Sequence, residues 1–539
     1  MSATASAAPA SAPAPARPAG PPAGPAPLEG SARLWGTIAL SLATFMNVLD
    51  SSIANVSIPA IAGDLGVSPG QGTWVITSFG VANAISVPLT GFLTQRFGAV
   101  RLFTASVLLF VIASWLCGLA PSLELLVAFR VLQGLVAGPM IPLSQTLLMA
   151  SYPRSQTGKA LAFWGVTTLV APVVGPLLGG WITDHISWPW IFYINVPVGL
   201  LAAAVTWGIY RHRETPTRRL PIDGVGLALL VLWVGALQLM LDKGKELDWF
   251  ASGEIVALAV LAAVGFVVFV IWELTDKHPV VDLRLFGGRN FTFGVLAISV
   301  GYGLFFGNVV LMPLWLQQWM GYTATSAGMA LAPVGLMAIV LTPLVGKKVS
   351  VWDPRWMATV AFLVFGLVLW MRSGFSTDTT FGQVMVPTLI QGIGMALFFI
   401  PLTTIVMSGQ PPERIASAAG LSNFVRITAG AMGTSIATTL WDDRAAMHHA
   451  HLTEQLPALA AQATGTPFGQ AMSGLSAAGL PQAGAWAQIN RLIDQQAYTR
   501  AADDIFLGSA VLFVALIGLI WITRRPGRAA GAVDAGGAH

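Results

Sequence analysis

Asn47 to Pro59 reads N-V-L-D-S-S-I-A-N-V-S-I-P, and it places a single carboxylate, Asp50, inside an apolar run that begins near Trp35. In hydrocarbon a charged side chain is opposed by roughly 2.5–3.5 kcal/mol on insertion scales and by more in simulation. Such a residue survives only with a partner or with a proton. Around it stretches a chain of 539 residues that is 55% hydrophobic and only 10% charged. Soluble domains carry about 25% charged residues, so this is a polytopic membrane protein.

A spanning helix needs about 20 apolar residues. Runs of that kind number fourteen, near 35–57, 73–93, 102–120, 123–149, 160–183, 190–210, 222–241, 254–274, 291–317, 323–345, 356–372, 382–407, 414–440 and 504–523. Alternate connections are basic: Arg96 and Arg101; Arg154 and Lys159; Arg211 to Arg219; Lys277 to Arg289; Lys347 to Arg355; Arg414; and Arg524 to Arg528. The positive-inside rule then puts both termini in the cytoplasm, and an even number of spans, which keeps them on one side, fits this. Residues 1–33 are rich in Ala, Pro and Gly and read, like 526–539, as a solvated tail.

The chain repeats itself. Gln133-Gly134 and Tyr152-Pro153 match Gln391-Gly392 and Gln410-Pro411 at the same offset. This maps spans 1–6 onto 9–14 and leaves spans 7 and 8 as an insertion. The expected units are 34–212, an inserted pair within 213–289, and 290–525 including a long connection at 441–503. Paired repeats are a transporter architecture, with a central site between the halves. Residues 486–493 of the long connection fit a short amphipathic helix. Its His448, His449 and His451 lack the second ligand cluster that a metal would need, and no metal or cofactor is expected.

At 1.5 Å per residue, Asp50 lies roughly 22 Å from the inner surface and Arg130, on span four, roughly 10 Å from the outer one. Both charges therefore fall in the outer half of a core about 30 Å thick. Asp50, Arg130 and Gln133 are the candidate proton-coupling set; the alternative is a static ion pair that fixes helix packing. Arg426 on span thirteen has no acidic residue at its own depth. It is open to substrate or to helix-end carbonyls. Asn55, Asn195, Asn308, Gln391 and Asn423 are the other polar candidates for touching substrate. In span five, A-P-V-V-G-P-L-L-G-G brings Gly175, Pro176, Gly179 and Gly180 into one pliable seam. Gly91, Arg96, Gly98 and Arg101 mark a tight turn between spans two and three. No P-loop motif is present, so ATP is not hydrolysed here through a P-loop, and an ion gradient is the simplest source for uphill movement. Nothing in the composition points to nucleic acid.

These motifs resemble the major facilitator superfamily, and within it the fourteen-span drug:proton antiporter branch. L-D-S-S-I-A-N-V-S-I-P resembles that branch's span-one motif, Gly91–Arg101 the superfamily's loop motif, and R-V-L-Q-G-L-V-A-G-P (Arg130–Pro139) its span-four motif. V-G-P-L-L-G-G (Val174–Gly180) is similar to the antiporter motif of exporters. One departure is Gln95, where the loop motif usually carries an acidic residue. The resemblance implies an all-α integral membrane protein with the major facilitator fold: fourteen helices, as two six-helix bundles plus two inserted ones. It implies a secondary active transporter of the bacterial inner membrane, exchanging protons at Asp50 for hydrophobic toxic compounds. It further implies hand-over to an EmrA-like periplasmic membrane-fusion protein and a TolC-like outer-membrane channel. A proton-coupled metabolite transporter of the same fold, or an uncoupled channel or scaffold, is the alternative.

Overall fold

The computed structural model describes residues 26–526 apart from 68, 154–155, 219–220, 222, 350, 455–473 and 475–480. Among the described residues every regular element is helical. The long segments, in chain order, are α1 (Gly30–Asp64), α2 (Trp74–Phe97), α3 (Ala99–Gly118), α4 (Leu123–Ser151), α5 (Thr157–His185), α6 (Trp190–Tyr210) and α7 (Gly224–Lys243). They continue as α8 (Gly253–Thr275), α9 (Arg289–Gln318), α10 (Ser326–Lys348), α11 (Pro354–Arg372), α12 (Phe381–Met407), α13 (Ile415–Thr453) and α14 (Gln482–Ile522). Twelve of the described helices are long and apolar enough to cross a membrane. The two outside that set, α5 and α13, are 29 and 39 residues long.

The ends of these helices follow local chemistry. Ser122, Asp223, Thr323 and Asp353 each accept a bond from a backbone N–H one turn or less into the helix that follows. That satisfies donors which a helix start leaves open. Thr380 and Gln383 form a capping box at the start of α12. Gly98 separates α2 from α3 with a φ of 89°, a conformation that side chains with a Cβ resist.

Helix α1 packs on α5 and α6, α2 on α4, and α3 on α4 and α6. In the second part α9 packs on α13, α11 on α12 and α14, and α13 on α14. Helices α7 and α8, the expected insertion, pack on each other, and α7 also lies against α2, where Ile85 and Val87 share a buried cluster with Trp233 and Val234. Along α8, Val260, Val264, Val267 and Ile271 are exposed, as a lipid-facing surface should be.

The two parts meet at the end of the molecule that carries the basic connections. There Gly158 of α5 lies against Gly346 of α10 and Val349 just beyond it, and Gly91 of α2 lies against Ser417 of α13. Leu161, Val345, Met357 and Ile400 form a buried cluster across the same junction.

At the opposite end α13 runs on to Thr453 and α14 begins at Gln482. Much of the expected 441–503 connection is thus continuous helix, and the stretch at 486–493 opens α14 rather than standing alone. Trp441 Nε1 donates to the Tyr498 carbonyl at 2.8 Å. His448 pairs with Asp504 at 2.9 Å and His449 with Asp494 at 2.7 Å. These histidines hold the two extensions together.

Candidate functional site: a buried carboxylate–guanidinium network

Asp50 comes from the middle of α1 and Arg130 and Gln133 from successive turns of α4; all three are fully buried. Arg130 Nη1 donates to Asp50 Oδ2 at 2.6 Å. Gln133 Nε2 donates to Asp50 Oδ1 at 3.1 Å while its Oε1 accepts from Arg130 Nη1 at 2.7 Å. The depth match expected from residue counting is therefore a direct contact. A second donor reaches Asp50 Oδ1 from α6: Asn195 Nδ2, at 2.8 Å. Asn195 also donates to Ser114 Oγ at 3.0 Å, and Ser114 donates to the Phe192 carbonyl at 2.8 Å. Helices α1, α3, α4 and α6 thus join in one network around this carboxylate.

The guanidinium is held from several sides. Its Nε donates to the Val75 carbonyl at 2.9 Å, and its carbon stands 4.2 Å from the centre of the Phe79 ring and 5.5 Å from that of Phe192. Such faces stabilise a desolvated cation. Arg130 Nη2 has no hydrogen-bond partner among the described residues. Cys117, a buried thiol, donates to Gln133 Oε1 at 3.6 Å.

The glycine seam of α5 lies one turn from this carboxylate. A Cβ on Gly179 would stand 2.7 Å from the Ile53 carbonyl oxygen, and one on Gly175 would strike the Ser52 hydroxyl. Below the seam Ser57 and Thr183 share a hydrogen bond of 2.7 Å. Gly180 follows in the same helix and is half-buried. The side chains of Pro176 and Asn55 lie outside the described set. Because the obstacle at Gly179 is backbone, Gly179→Ala is expected to force α1 and α5 apart. A lowered melting temperature, equivalent to about 1–3 kcal/mol for overpacking, is the result to look for in detergent.

The other sequence candidates scatter. Asn195 belongs to the Asp50 network rather than to a separate substrate surface. Asn308 donates to the Leu304 carbonyl and, at 3.2 Å, to Ser509 Oγ within α9 and α14. Gln391 accepts from Arg372 Nη2 at 2.7 Å. Arg372 is the basic exception in a connection otherwise free of Lys and Arg; it is the last residue of α11 and is buried, with Thr388 as its second acceptor at 3.1 Å. The offset that carries Gln133 to Gln391 also carries Asp50 to Asn308 and Arg130 to Thr388. The second repeat therefore holds neutral groups where the first holds its ion pair.

Asn423 and Arg426 do meet the first repeat. Asn423 Nδ2 donates to Gln145 Oε1 of α4 at 3.0 Å, and Arg426 Nη2 donates to Asn423 Oδ1 at 2.6 Å. The Arg426 guanidinium stands 4.5 Å from the ring centre of Tyr302, 5.6 Å from that of Phe399 and 5.7 Å from that of Trp164 on α5. It forms no ion pair among the described residues.

The profile of the Major Facilitator Superfamily matches residues 40–434. The multidrug export protein EmrB of Escherichia coli K12 is 52% identical over 515 residues, covering 95% of this chain and 99% of that protein. The fatty acid resistance protein FarB of Neisseria gonorrhoeae is 49% identical over 504 residues, covering 93% and 98%. Among solved structures, the human organic anion transporter MFSD10 matches over 91% of this chain and 100% of its own, with a TM-score of 0.55 at 12% identity, a likeness of fold alone. By profile, by identity and by architecture, the chain is a multi-pass transporter that belongs to the Major Facilitator Superfamily.

Proposed function

We propose that this protein is a proton-coupled exporter of hydrophobic toxic compounds in a bacterial inner membrane. The observation that carries the reading is the buried Asp50–Arg130 pair one helical turn from the α1–α5 seam. Names of relatives such as EmrB and FarB support the class of cargo. In this reading α5 and α13 also span, giving fourteen helices with both termini cytoplasmic. Residues 34–212 and 290–525 form two six-helix bundles, with α7 and α8 inserted between them.

The working cycle follows from the contacts. With Asp50 ionised, Arg130, Gln133 and Asn195 hold it, and α1 is tied to α4 and α6. A proton on Asp50 removes the charge that draws Arg130, so α1 is released and can slide on the smooth face of Gly175 and Gly179. Rocking of one bundle against the other then carries cargo past Asn423 and Arg426, which face the first bundle. The contacts at the basic end make that end the closed one in this conformation.

Transport in proteoliposomes with an imposed pH gradient tests this directly. Accumulation of lipophilic cargo against its gradient, dissipated together with the pH difference, is expected; cargo flux indifferent to the pH difference would favour an uncoupled channel. The extensions of α13 and α14 are the proposed docking element for an EmrA-like adaptor leading to a TolC-like channel. Shortening both extensions within the 441–503 connection is expected to abolish co-purification with such an adaptor while leaving transport in proteoliposomes intact.

A further inference from the structure

We infer that Glu214, in the connection between α6 and α7, is the anion of a latch that closes the basic end. Glu214 is a positioning residue. Its carboxylate caps α3: Oε1 accepts from the Val100 amide at 3.0 Å and Oε2 from the Arg101 amide at 2.9 Å. The neighbouring Thr215 Oγ1 accepts from the Ala99 amide at 2.9 Å. Three donors that a helix start leaves open are thereby filled, and a negative charge sits at the positive end of a 20-residue helix. Arg101 Nε stands 4.0 Å from the same carboxylate on the exposed side.

The glycine between the helices makes room for it. A Cβ on Gly98 would collide with the Glu214 carboxyl group, so glycine is required there both for its backbone angle and for the space. Four residues beyond Glu214, the Arg218 amide donates to the Gln95 carbonyl at 2.7 Å. The connection therefore grips both sides of the α2–α3 turn. Gln95 contributes its backbone, and the charge comes from Glu214.

The grip bears on the junction between the repeats because α2 carries Gly91 one turn before Gln95. A Cβ there would stand 2.8 Å from Ser417 Cα, and a Cβ on Gly420 would stand 3.3 Å from the Val87 carbonyl oxygen. Contacts that close bind only when α2 is presented at one angle. Glu214 and Gly98 set that angle, and the chain that carries Glu214 leads straight into the inserted α7. The insertion is thus wired to the closed end of the molecule.

The inference rests on reading the basic end as the seal of a rocking transporter, but its test needs neither cargo nor a proton gradient. Val349→Cys places a reporter thiol in the α5–α10 contact, and the native Cys117 is fully buried. In full-length, detergent-solubilised protein, Glu214→Ala and Glu214→Gln are each expected to speed labelling of that thiol by a large hydrophilic maleimide. The expected gain is about fivefold, the population shift that loss of a helix-terminal carboxylate brings. The Val100 and Arg101 amides should also exchange faster with deuterium. Unchanged labelling in a monodisperse variant whose amides do exchange faster would reduce Glu214 to a helix cap and overturn the latch. Unchanged amide exchange would overturn the cap itself. Glu214→Gln keeps the shape of the side chain and carries the test if the alanine variant does not fold. A protein that fails to transport while showing these shifts would sink the proposed function and leave the latch standing.

Discussion

Asp50→Asn is expected to abolish uphill export under an imposed pH gradient while the protein still folds and inserts. A positioned proton-transfer group contributes on the order of 10²–10⁴ in rate, so activity should fall by at least about 100-fold. Asparagine matches aspartate in shape. Arg130 keeps the Val75 carbonyl, Gln133 Oε1 and the Phe79 face after the change, and Asn195 keeps Ser114. The measurement is initial efflux in proteoliposomes beside a melting curve. Downhill exchange of cargo is expected to survive, because the movement of α1 on α5 needs no charge. Coupled export at the wild-type rate in the variant would remove Asp50 from the mechanism.

Arg130→Ala separates a working charge from a structural one. Removing one partner of a buried pair leaves the other charge uncompensated, at a cost of about 3–5 kcal/mol. Asp50 escapes part of that by taking a proton, since Gln133 and Asn195 remain to hold it. The single variant should therefore be less stable and inactive in uphill export. The combined variant, Asp50→Asn with Arg130→Ala, has no buried charge left at the site. Its melting temperature should recover part of the loss, while export stays absent. A static ion pair predicts the opposite: restored stability would bring restored export. Measuring both quantities on the same four proteins decides between them.

Much of this site could be read from residue counts, because the bilayer fixes height. Counting along span one and back along span four puts Asp50 and Arg130 at one level, and they do touch. Counting gives no rotation, however. Which face of α6 turns toward α1 is set by packing, and so Asn195 reads from sequence as one of several polar residues rather than as a ligand of Asp50. Arg372 misleads for a related reason. It is the terminal residue of an apolar run, where a charge ordinarily lies in water, yet α11 is pressed on α12 and its side chain turns inward to Gln391. The ends of α13 and α14 are hidden because apolar runs stop at the bilayer edge while helices need not. Past that edge the chain is rich in Ala, Gln and charged residues, good helix formers without a hydrophobic signature. Glu214 is invisible to motif reading altogether, since it lies more than 110 positions along the chain from the amides that it caps.

Helices α13 and α14 have 39 and 41 residues, or roughly 58 and 61 Å at 1.5 Å per residue. About half of that length exceeds a hydrocarbon core of about 30 Å. In the fourteen-span reading, the surplus makes each helix a lever with its fulcrum in the bilayer. Trp441, His448 and His449 lash the two arms together, so they swing as one. A tilt too small to separate the repeats at the fulcrum becomes a displacement of several ångströms at the tip, in proportion to the length of the arm. Whatever grasps that tip receives a magnified mechanical report of the conformation inside the membrane, and can resist it with the same leverage.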